Sequence, residues 1–564
     1  MGDSKRSSNN FIFSGITGAH LITAILFIGV LAFYVYTLQP SLSWGDGVRL
    51  QREVITSESF ILAELVDVNF APDPYPFARL GVAAWDHPLY VILGHVLVRA
   101  LPGIDPLWLV NLISALFGAG TIALLFWICY TNTQSVFAAL FAALSLAVSH
   151  TFWFHASTPE VYTLFAFLLL LGLHLYDVYE RHNRPGALIA SFFVMGLGVS
   201  NHLLTFLALP AAVLYLLLAR RLKEGVPRTA VQWLLAVAAF LAGFLPYLIQ
   251  YMRMLRTFPI SQIMGPVIGS TFLSSLADTT PLLLVTSLLT YLGYLVFQFS
   301  PIGLGLGLFG LLKGRKEFAP LWHKAAAFYV FYAVFGVIYR VSDQFAFFLG
   351  SYIFWAMLVA VGVARATAPL KGLRRRWVIA GLSLSLMVMP ALYMALPDLA
   401  RSAGITDQSL GIPQVGVGVR DGLAFYLNPN KRGDDAAYRF GHDTMESLPP
   451  ESVVIAQWYT DTDEYFVLRY FAVVKGLRPD VELVGWPREE PIDFDPAIAV
   501  NKVEAELQNG RPVYLASLSE AYYHASLLME RYCVAAGGTL YRVYPQDPNS
   551  PEAVGMACES VPTE

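Results

Sequence analysis

Hydrophobic residues occur in long runs as far as Pro397, separated by shorter polar stretches. About 20 consecutive apolar residues suffice to cross the hydrocarbon core of a bilayer, and eleven runs are predicted to form spans. These runs lie near residues 14–37, 106–130, 134–152, 160–178, 186–199, 203–219, 230–251, 282–312, 325–341, 345–366 and 377–396. The run 88–101 is too short to span comfortably, and its start at Pro88 is typical of a helix lying along the surface. The pattern predicts a polytopic α-helical membrane protein.

Two of these regions contain breaks. Residues 186–219 are predicted to form two short helices that separate at Ser200-Asn201-His202. Residues 282–312 are long for one helix and contain Ser300-Pro301 in the middle. Irregular backbone at membrane depth is tolerated only where it lines a cavity or packs on protein, so the first break is a candidate site.

Basic loops set the predicted orientation, because Lys and Arg are enriched in cytoplasmic loops. Three loops are clearly basic: they contain Arg220, Arg221, Lys223, Arg228; Lys313, Arg315, Lys316, Lys324; and Arg365, Lys371, Arg374, Arg375, Arg376. With all three loops in the cytoplasm, the N-terminus is also predicted to be cytoplasmic, and the first span, which follows Lys5 and Arg6, is predicted to be an uncleaved anchor. The loop 38–105 and everything after Pro397 are then extracytoplasmic. The protein is expected in a bacterial inner membrane or an equivalent membrane.

The region 398–564 is predicted to be a separate extracytoplasmic α/β domain following a membrane module of residues 1–397. Strand-like runs at 452–457, 480–485, 511–517 and 539–545 alternate with helix-like stretches at 461–476, 496–510 and 518–535. Such alternation predicts a largely parallel sheet. Cys533 and Cys558 could pair if this domain faces an oxidising compartment.

Composition agrees with a membrane protein. Hydrophobic residues make up 56% of the chain and charged residues 14%, whereas soluble domains average about 45–50% and about 25%. The net charge of −4 says nothing about nucleic acid. No basic patch with interleaved aromatic residues occurs, so no nucleic-acid partner is expected. None of the predicted spans has a central charged residue, which disfavours a transporter or lipid flippase; that class is kept as the alternative.

Several outer segments carry local sequences that resemble one family. HTFWFHASTPEVYTL (150–164), GVSNHLLTF (198–206), SDQFAFFLGSY (342–352) and DTDEYFVLRYFAVVKGLRPDVELV (461–484) resemble motifs of the membrane family called domain of unknown function 2723. DHPLYVILGHVL (86–97) resembles its His-Pro element. That family includes a eukaryotic protein O-mannosyltransferase and belongs to the GT-C glycosyltransferases. The resemblance implies a polyprenyl-phosphate sugar donor, a catalytic Asp in the first outer loop and a GT-C-like membrane fold.

Asp46, in WGDGVRLQRE (44–53) just beyond the first span, is the candidate catalytic base. An inverting transfer needs one base that takes the proton of the acceptor hydroxyl. The other interpretation is a carboxylate that caps the loop helix. Arg49 is a further site candidate, because the family carries an acidic residue at this position and this chain does not.

The donor phosphate develops negative charge as it leaves, and this charge needs cations or hydrogen-bond donors. We expect these partners on the predicted outer face. The candidates for donor or phosphate binding are His87, Asn201, His202 and Arg340, and the other site candidates are Glu160, His155 and Asp343. Each candidate also has a purely structural interpretation. The histidines could form hydrogen bonds at the membrane interface, Glu160 could cap a helix, and the Arg340 side chain could extend to the interface.

Mannose transferred to protein Ser/Thr is the expectation that follows from the resemblance. Another sugar, or a lipid or glycan acceptor, is the alternative. A divalent metal held by Asp46, Glu160 and a histidine is possible but is not required.

Overall fold

The computed structural model describes residues 4–56, 87–220, 226–255, 276–341, 343–457, 464–486, 496–518, 525–545 and 558. Residues 57–86 of the predicted outer loop, residues 256–275 and the start of the last motif (461–463) lie outside these ranges. All further statements concern the described residues.

Helices dominate the chain up to Ser402. They are α1 Ser4–Tyr36, α2 Asp46–Thr56, α3 Pro88–Ala100, α4 Pro106–Thr133, α5 Val136–Ala147, α6 His150–Ser157, α7 Tyr162–His182, α8 Pro185–Asn201, a 3-10 turn Leu203–Leu207, α9 Ala208–Leu218, α10 Ala230–Met254, α11 Pro281–Lys313, α12 Ala319–Ile338, α13 Gln344–Phe347, α14 Leu349–Thr367 and α15 Gly372–Ser402. Every one of the eleven predicted spans coincides with helix.

Eight helices in the described part of the chain are long and apolar enough to cross a membrane on their own, and the bent pair α5 and α6 makes up to nine. The two remaining predicted spans correspond to shorter apolar helices, 185–201 and 203–218. The chain is therefore a multi-pass membrane protein, and the count of eleven spans stays a prediction. Helix α3, 13 residues long, confirms the short helix after Pro88.

Both predicted breaks are present. Helix α8 ends before His202, whose backbone is extended with φ −157° and ψ 132°. Helix α11 is kinked at Ser300, which has φ 61° and ψ 167°. The residue before a proline is disfavoured in the helical conformation, and proline itself supplies no N–H, so Pro301 explains the second break.

The chain divides into two compact units. Unit 1 contains Met1–Leu38, His87–Leu93 and Asn111–Met394, and unit 2 contains Gln39–Asp86, Gly94–Val110 and Ala395–Glu564. The predicted boundary between residues 397 and 398 stays a prediction.

Close helix packing in unit 1 depends on glycine. A methyl group on Gly310 of α11 would overlap the carbonyl oxygen of Leu358 of α14, and one on Gly362 would overlap that of Leu306. Small residues at such crossings let helix backbones approach closely within a membrane.

A buried charge cluster also stabilises unit 1. Lys324 of α12 forms an ion pair with Asp177 of α7, and its Nζ lies 3.1 Å from Glu180 Oε2. The Tyr215 hydroxyl donates to Glu180 at 2.8 Å. The assignment of Lys324 to a basic loop was wrong: the residue lies inside a helix and is buried, because two carboxylates compensate its charge.

Unit 2 contains a five-stranded sheet. Its elements are α16 Gly422–Leu427, α17 Ala436–Ser447, β1 Val453–Gln457, α18 Glu464–Val473, β2 Glu482–Trp486, α19 Pro496–Gln508, β3 Val513–Leu515, α20 Ala525–Met529, β4 Tyr532–Gly537 and β5 Leu540–Pro545, with strand order β2-β1-β3-β5-β4. Strand β1 is parallel to β2 and β3, with Val453 opposite Glu482 and Val513. Strand β5 is antiparallel to β3 and β4.

The predicted α/β alternation is confirmed for β1, β2, β3 and β5, but the sheet is mixed rather than largely parallel. The prediction of helix over 518–535 was wrong at its end, because Tyr532–Gly537 is a strand. Gly538, with φ 86°, closes a hairpin from β4 to β5 that the apolar pattern alone did not reveal. Cys533 and Cys558 form a disulfide with a Cα–Cα distance of 5.3 Å.

Candidate functional site

The break after α8 brings two predicted site histidines together in unit 1. The rings of His87 and His202 stack with centroids 5.3 Å apart and an interplanar angle of 15°. His87 Nδ1 donates to the backbone carbonyl of Asn201 at 2.6 Å. The Leu204 N–H donates to His202 Nδ1 at 3.1 Å, so in the neutral ring the proton lies on Nε2.

Asn201 is held in one orientation by the neighbouring turn. Its Nδ2 donates to the carbonyl of Val161 at 3.0 Å, so its amide oxygen points away from that carbonyl. This Oδ1 atom is buried, and no group in the described part of the chain forms a hydrogen bond with it. A buried acceptor in this state costs about 1–3 kcal/mol, and it is suited to a ligand that donates a hydrogen bond.

His155 of α6 joins the same cluster through aromatic neighbours. Its ring lies 4.7 Å from Tyr162 and 5.9 Å from Phe345, measured between centroids, and Tyr162 lies 5.3 Å from His202. The His155 side chain is buried, with the residue 3% exposed. Within the described ranges, neither of its ring nitrogens has a hydrogen-bond partner. We define the histidine cluster as His87, His155, Asn201 and His202, with Tyr162 between them.

Glu160 lies two residues before Tyr162, the first residue of α7 and a member of the histidine cluster. Its N–H donates to Ser114 Oγ at 3.0 Å, and Ser114 Oγ lies 3.1 Å from the Glu160 carbonyl oxygen. The residue is half-buried. Helix α4 thus fixes the backbone that carries this carboxylate.

Arg340 and Asp343 lie in the turn between α12 and α13. Arg340 Nη1 donates to Thr279 Oγ1 at 3.4 Å, and Asp343 is the residue that precedes α13. Two aromatic residues of α13 connect this turn to the histidine cluster: Phe345 stacks on His155, and Phe347 lies 6.1 Å from His202.

Asp46 lies in unit 2, at the first position of α2. Its carboxylate is 63% exposed and lies 3.2 Å from Arg49 Nε. Arg49 is almost fully buried, and its Nη1 lies 3.9 Å from Glu53 Oε1. A carboxylate in the first turn is also favoured by the helix dipole, so both interpretations of Asp46 fit this geometry.

Sequence reasoning missed Tyr162, Ser114, Phe345 and Phe347. All but Ser114 lie inside sequences that carried the family resemblance, yet an aromatic residue in an apolar run is usually a core or interface residue. In the described ranges, no group of three or more His, Cys, Asp or Glu residues could hold a metal ion. We therefore do not assign Asp46, Glu160 or the histidines as metal ligands.

Comparison with known proteins adds to this geometry. Residues 85–225 match the family model described as "Protein O-mannosyl-transferase TMEM260 N-terminal domain". No curated protein matches the chain.

Among solved structures, ArnT from Cupriavidus metallidurans bound to undecaprenyl phosphate is similar, with a TM-score of 0.55 and 16% identity over 93% of this chain and 98% of that one. Its apo state has a TM-score of 0.51 and 14% identity over 92% and 97%. The chain therefore has the GT-C fold of ArnT, and over residues 85–225 it is similar to the TMEM260 family of protein O-mannosyltransferases.

Proposed function

We propose that this protein is a membrane glycosyltransferase that transfers a sugar from a polyprenyl-phosphate donor to a hydroxyl acceptor. One observation carries the proposal: the matched segment, residues 85–225, contains every member of the histidine cluster. The solved structure of ArnT bound to undecaprenyl phosphate supports the donor class. Mannose as the sugar and protein Ser/Thr as the acceptor follow from the family model.

The histidine cluster is the donor site in this proposal. The Asn201 amide oxygen can only accept hydrogen bonds, so it suits a sugar hydroxyl better than a phosphate oxygen. His87 and His202, with Arg340 from the neighbouring turn, supply hydrogen-bond donors or positive charge for the phosphate as it becomes the leaving group. His155 offers one donor and one acceptor, and the Glu160 carboxylate offers a further acceptor at the start of α7.

Asp46 is the proposed general base. The acceptor oxygen forms a bond to C1 of the sugar while the bond from C1 to the phosphate oxygen breaks, with inversion at C1. The acceptor proton passes to Asp46, and polyprenyl phosphate leaves as the anion. Arg49, which is paired with Asp46 and close to Glu53, is a positioning residue that orients the carboxylate.

The proposed orientation has a cytoplasmic N-terminus and an extracytoplasmic unit 2. The basic loops support it through the positive-inside rule. The Cys533–Cys558 disulfide supports it independently, because structural disulfides persist mainly in oxidising compartments.

Replacing Asp46 with Asn tests the mechanism, because Asn keeps the size of the side chain but accepts no proton. Purified protein in vesicles with polyprenyl-phosphate mannose and a serine peptide should transfer mannose, and Asp46→Asn should lower the rate by roughly 10²–10⁴-fold. If Asp46 only caps α2, transfer should hardly change, because Asn caps about as well as Asp.

Asp443→Asn is the matched control, since the side chain of Asp443 is 61% exposed and belongs to the same unit. Near-normal transfer by Asp46→Asn would refute the mechanism. Movement of the lipid across the bilayer without any transfer would favour the flippase alternative.

A further inference from the structure

A second group of buried polar side chains lies in unit 2 around Trp44, two residues before Asp46. Trp44, Arg420 and Glu464 are 3%, 7% and 1% exposed, respectively. The guanidinium carbon of Arg420 lies 5.8 Å from the centroid of the Trp44 ring. Burial raises the pKa of Glu464 to about 8, and the charge of Arg420 opposes that shift. We call these three residues the Trp44 cluster.

The Trp44 cluster contains polar atoms that the protein does not satisfy. Trp44 Nε1, Arg420 Nε and Nη1, and Glu464 Oε2 are buried, and none of these atoms has a hydrogen-bond partner among the described residues. Arg420 is anchored elsewhere, since its Nη2 donates to the carbonyl of Pro413 at 2.8 Å. Each unsatisfied group costs about 1–3 kcal/mol. Contact with a ligand or with water would remove this cost.

Aromatic packing holds the cluster in place. Phe440 lies 5.7 Å from Trp44, and Arg420 lies 5.8 Å from Phe425 and 5.5 Å from Tyr426, measured to the ring centroids. The ring faces are therefore occupied by protein, and a ligand meets the polar edges instead. The three polar side chains are nearly enclosed, so the group that enters must be small.

The chemistry of the unsatisfied atoms defines that group. Trp44 and Arg420 offer N–H donors, whereas Glu464 offers a carboxyl oxygen. A hydroxyl group both accepts and donates a hydrogen bond, so it complements both sides at once.

We propose that the Trp44 cluster binds the side-chain hydroxyl of a serine or threonine in an acceptor polypeptide. The acceptor class rests on the proposed function, whereas the binding site itself rests on the buried polar atoms. Two residues of chain span at most about 7 Å, so the cluster holds the hydroxyl close to the backbone of Asp46. Glu464 orients the hydroxyl by a hydrogen bond and leaves removal of the proton to Asp46.

Peptide binding to the full-length protein in lipid nanodiscs tests this site. The probes are a capped alanine-rich peptide with one serine and the same peptide with alanine instead. We expect the wild-type protein to bind the serine peptide about 10-fold more tightly, which corresponds to one buried hydrogen bond. Glu464→Met and Trp44→Phe, which keep size but remove one partner each, should bring that ratio close to one.

Glu446→Met and Trp233→Phe, at exposed positions, are the matched controls and should keep the wild-type ratio. Equal binding of the two peptides by the wild-type protein, or a ratio that survives both substitutions, would overturn the site. Displacement of the serine peptide by methyl mannoside would overturn the peptide assignment in favour of a glycan. Selective binding without any sugar transfer would leave the site standing and refute the proposed function instead.

Discussion

Replacing His155 with Phe should change stability and activity in opposite directions. The ring of His155 lies between Tyr162 and Phe345, and a phenyl ring fits the same stacking arrangement. Neither buried ring nitrogen has a hydrogen-bond partner among the described residues, and each such group costs about 1–3 kcal/mol. Removing both, less about 1 kcal/mol for the slightly larger ring, should stabilise the protein by roughly 1–5 kcal/mol.

If His155 contacts the donor, the same substitution removes one or two hydrogen bonds to it. We expect kcat/KM for the donor to fall about 10- to 100-fold while the Tm rises by about 1–4 °C. The assays are thermal unfolding in detergent and transfer from polyprenyl-phosphate mannose.

His20→Phe is the control, because the exposed ring of His20 also stacks on an aromatic residue, with Trp127 4.4 Å away. That variant should keep both the wild-type Tm and the wild-type transfer rate. A parallel loss of Tm and transfer in His155→Phe would show that the histidine only supports the fold. Unchanged transfer by His155→Phe would show that His155 is not part of the donor site.

Three further substitutions test the packing and the buried charges. Gly310→Ala should lower the Tm, because the added methyl group would overlap a backbone carbonyl. Gly305→Ala in the same helix is the control, because its methyl group would have no other atom within 4 Å. Equal Tm values for the two variants would contradict the close helix crossing. Lys324→Met should destabilise unit 1 by about 3–5 kcal/mol, and adding Asp177→Asn should recover part of the loss in the same unfolding assay. Burial raises the pKa of Glu464 from 4.5 to about 8, so this carboxyl keeps its proton in the folded state. Its contribution to stability is therefore full below about pH 4.5 and is lost as the pH rises towards 8. The Tm of Glu464→Met relative to that of the wild type should therefore rise between about pH 4.5 and 8, by the equivalent of at most roughly 5 kcal/mol. A difference in Tm that does not change with pH would contradict the buried carboxyl.

Local patterns were enough to predict most of unit 1. A membrane span is specified by its own apolar residues, and the kink at Ser300 is specified by the proline that follows it. The break at His202 could also be predicted, because polar residues interrupt an apolar run there. Asn201 and His202 became candidates for that reason, although their contacts with Val161 and His87 could not be foreseen.

Features that depend on partners distant in the chain were missed. Lys324 was assigned to a loop because the two carboxylates that allow its burial lie on another helix. Strand β4 was predicted as helix for a different reason: its partner β5 is adjacent in the chain, but the turn at Gly538 that joins the two strands was not recognised. The Trp44 cluster was not predicted at all, since Arg420 and Glu464 are far from Trp44 in the sequence.

The arrangement of unit 2 has a consequence for biosynthesis. Two of its segments, Gln39–Asp86 and Gly94–Val110, are made long before the third, Ala395–Glu564. At about 5–20 residues per second, the ribosome needs roughly 15–60 s to pass from Val110 to Ala395. During that interval α2 lacks α18, the helix against which it packs. Unit 2 can therefore be completed only after all three segments of unit 1, the last of which ends at Met394, have been synthesised.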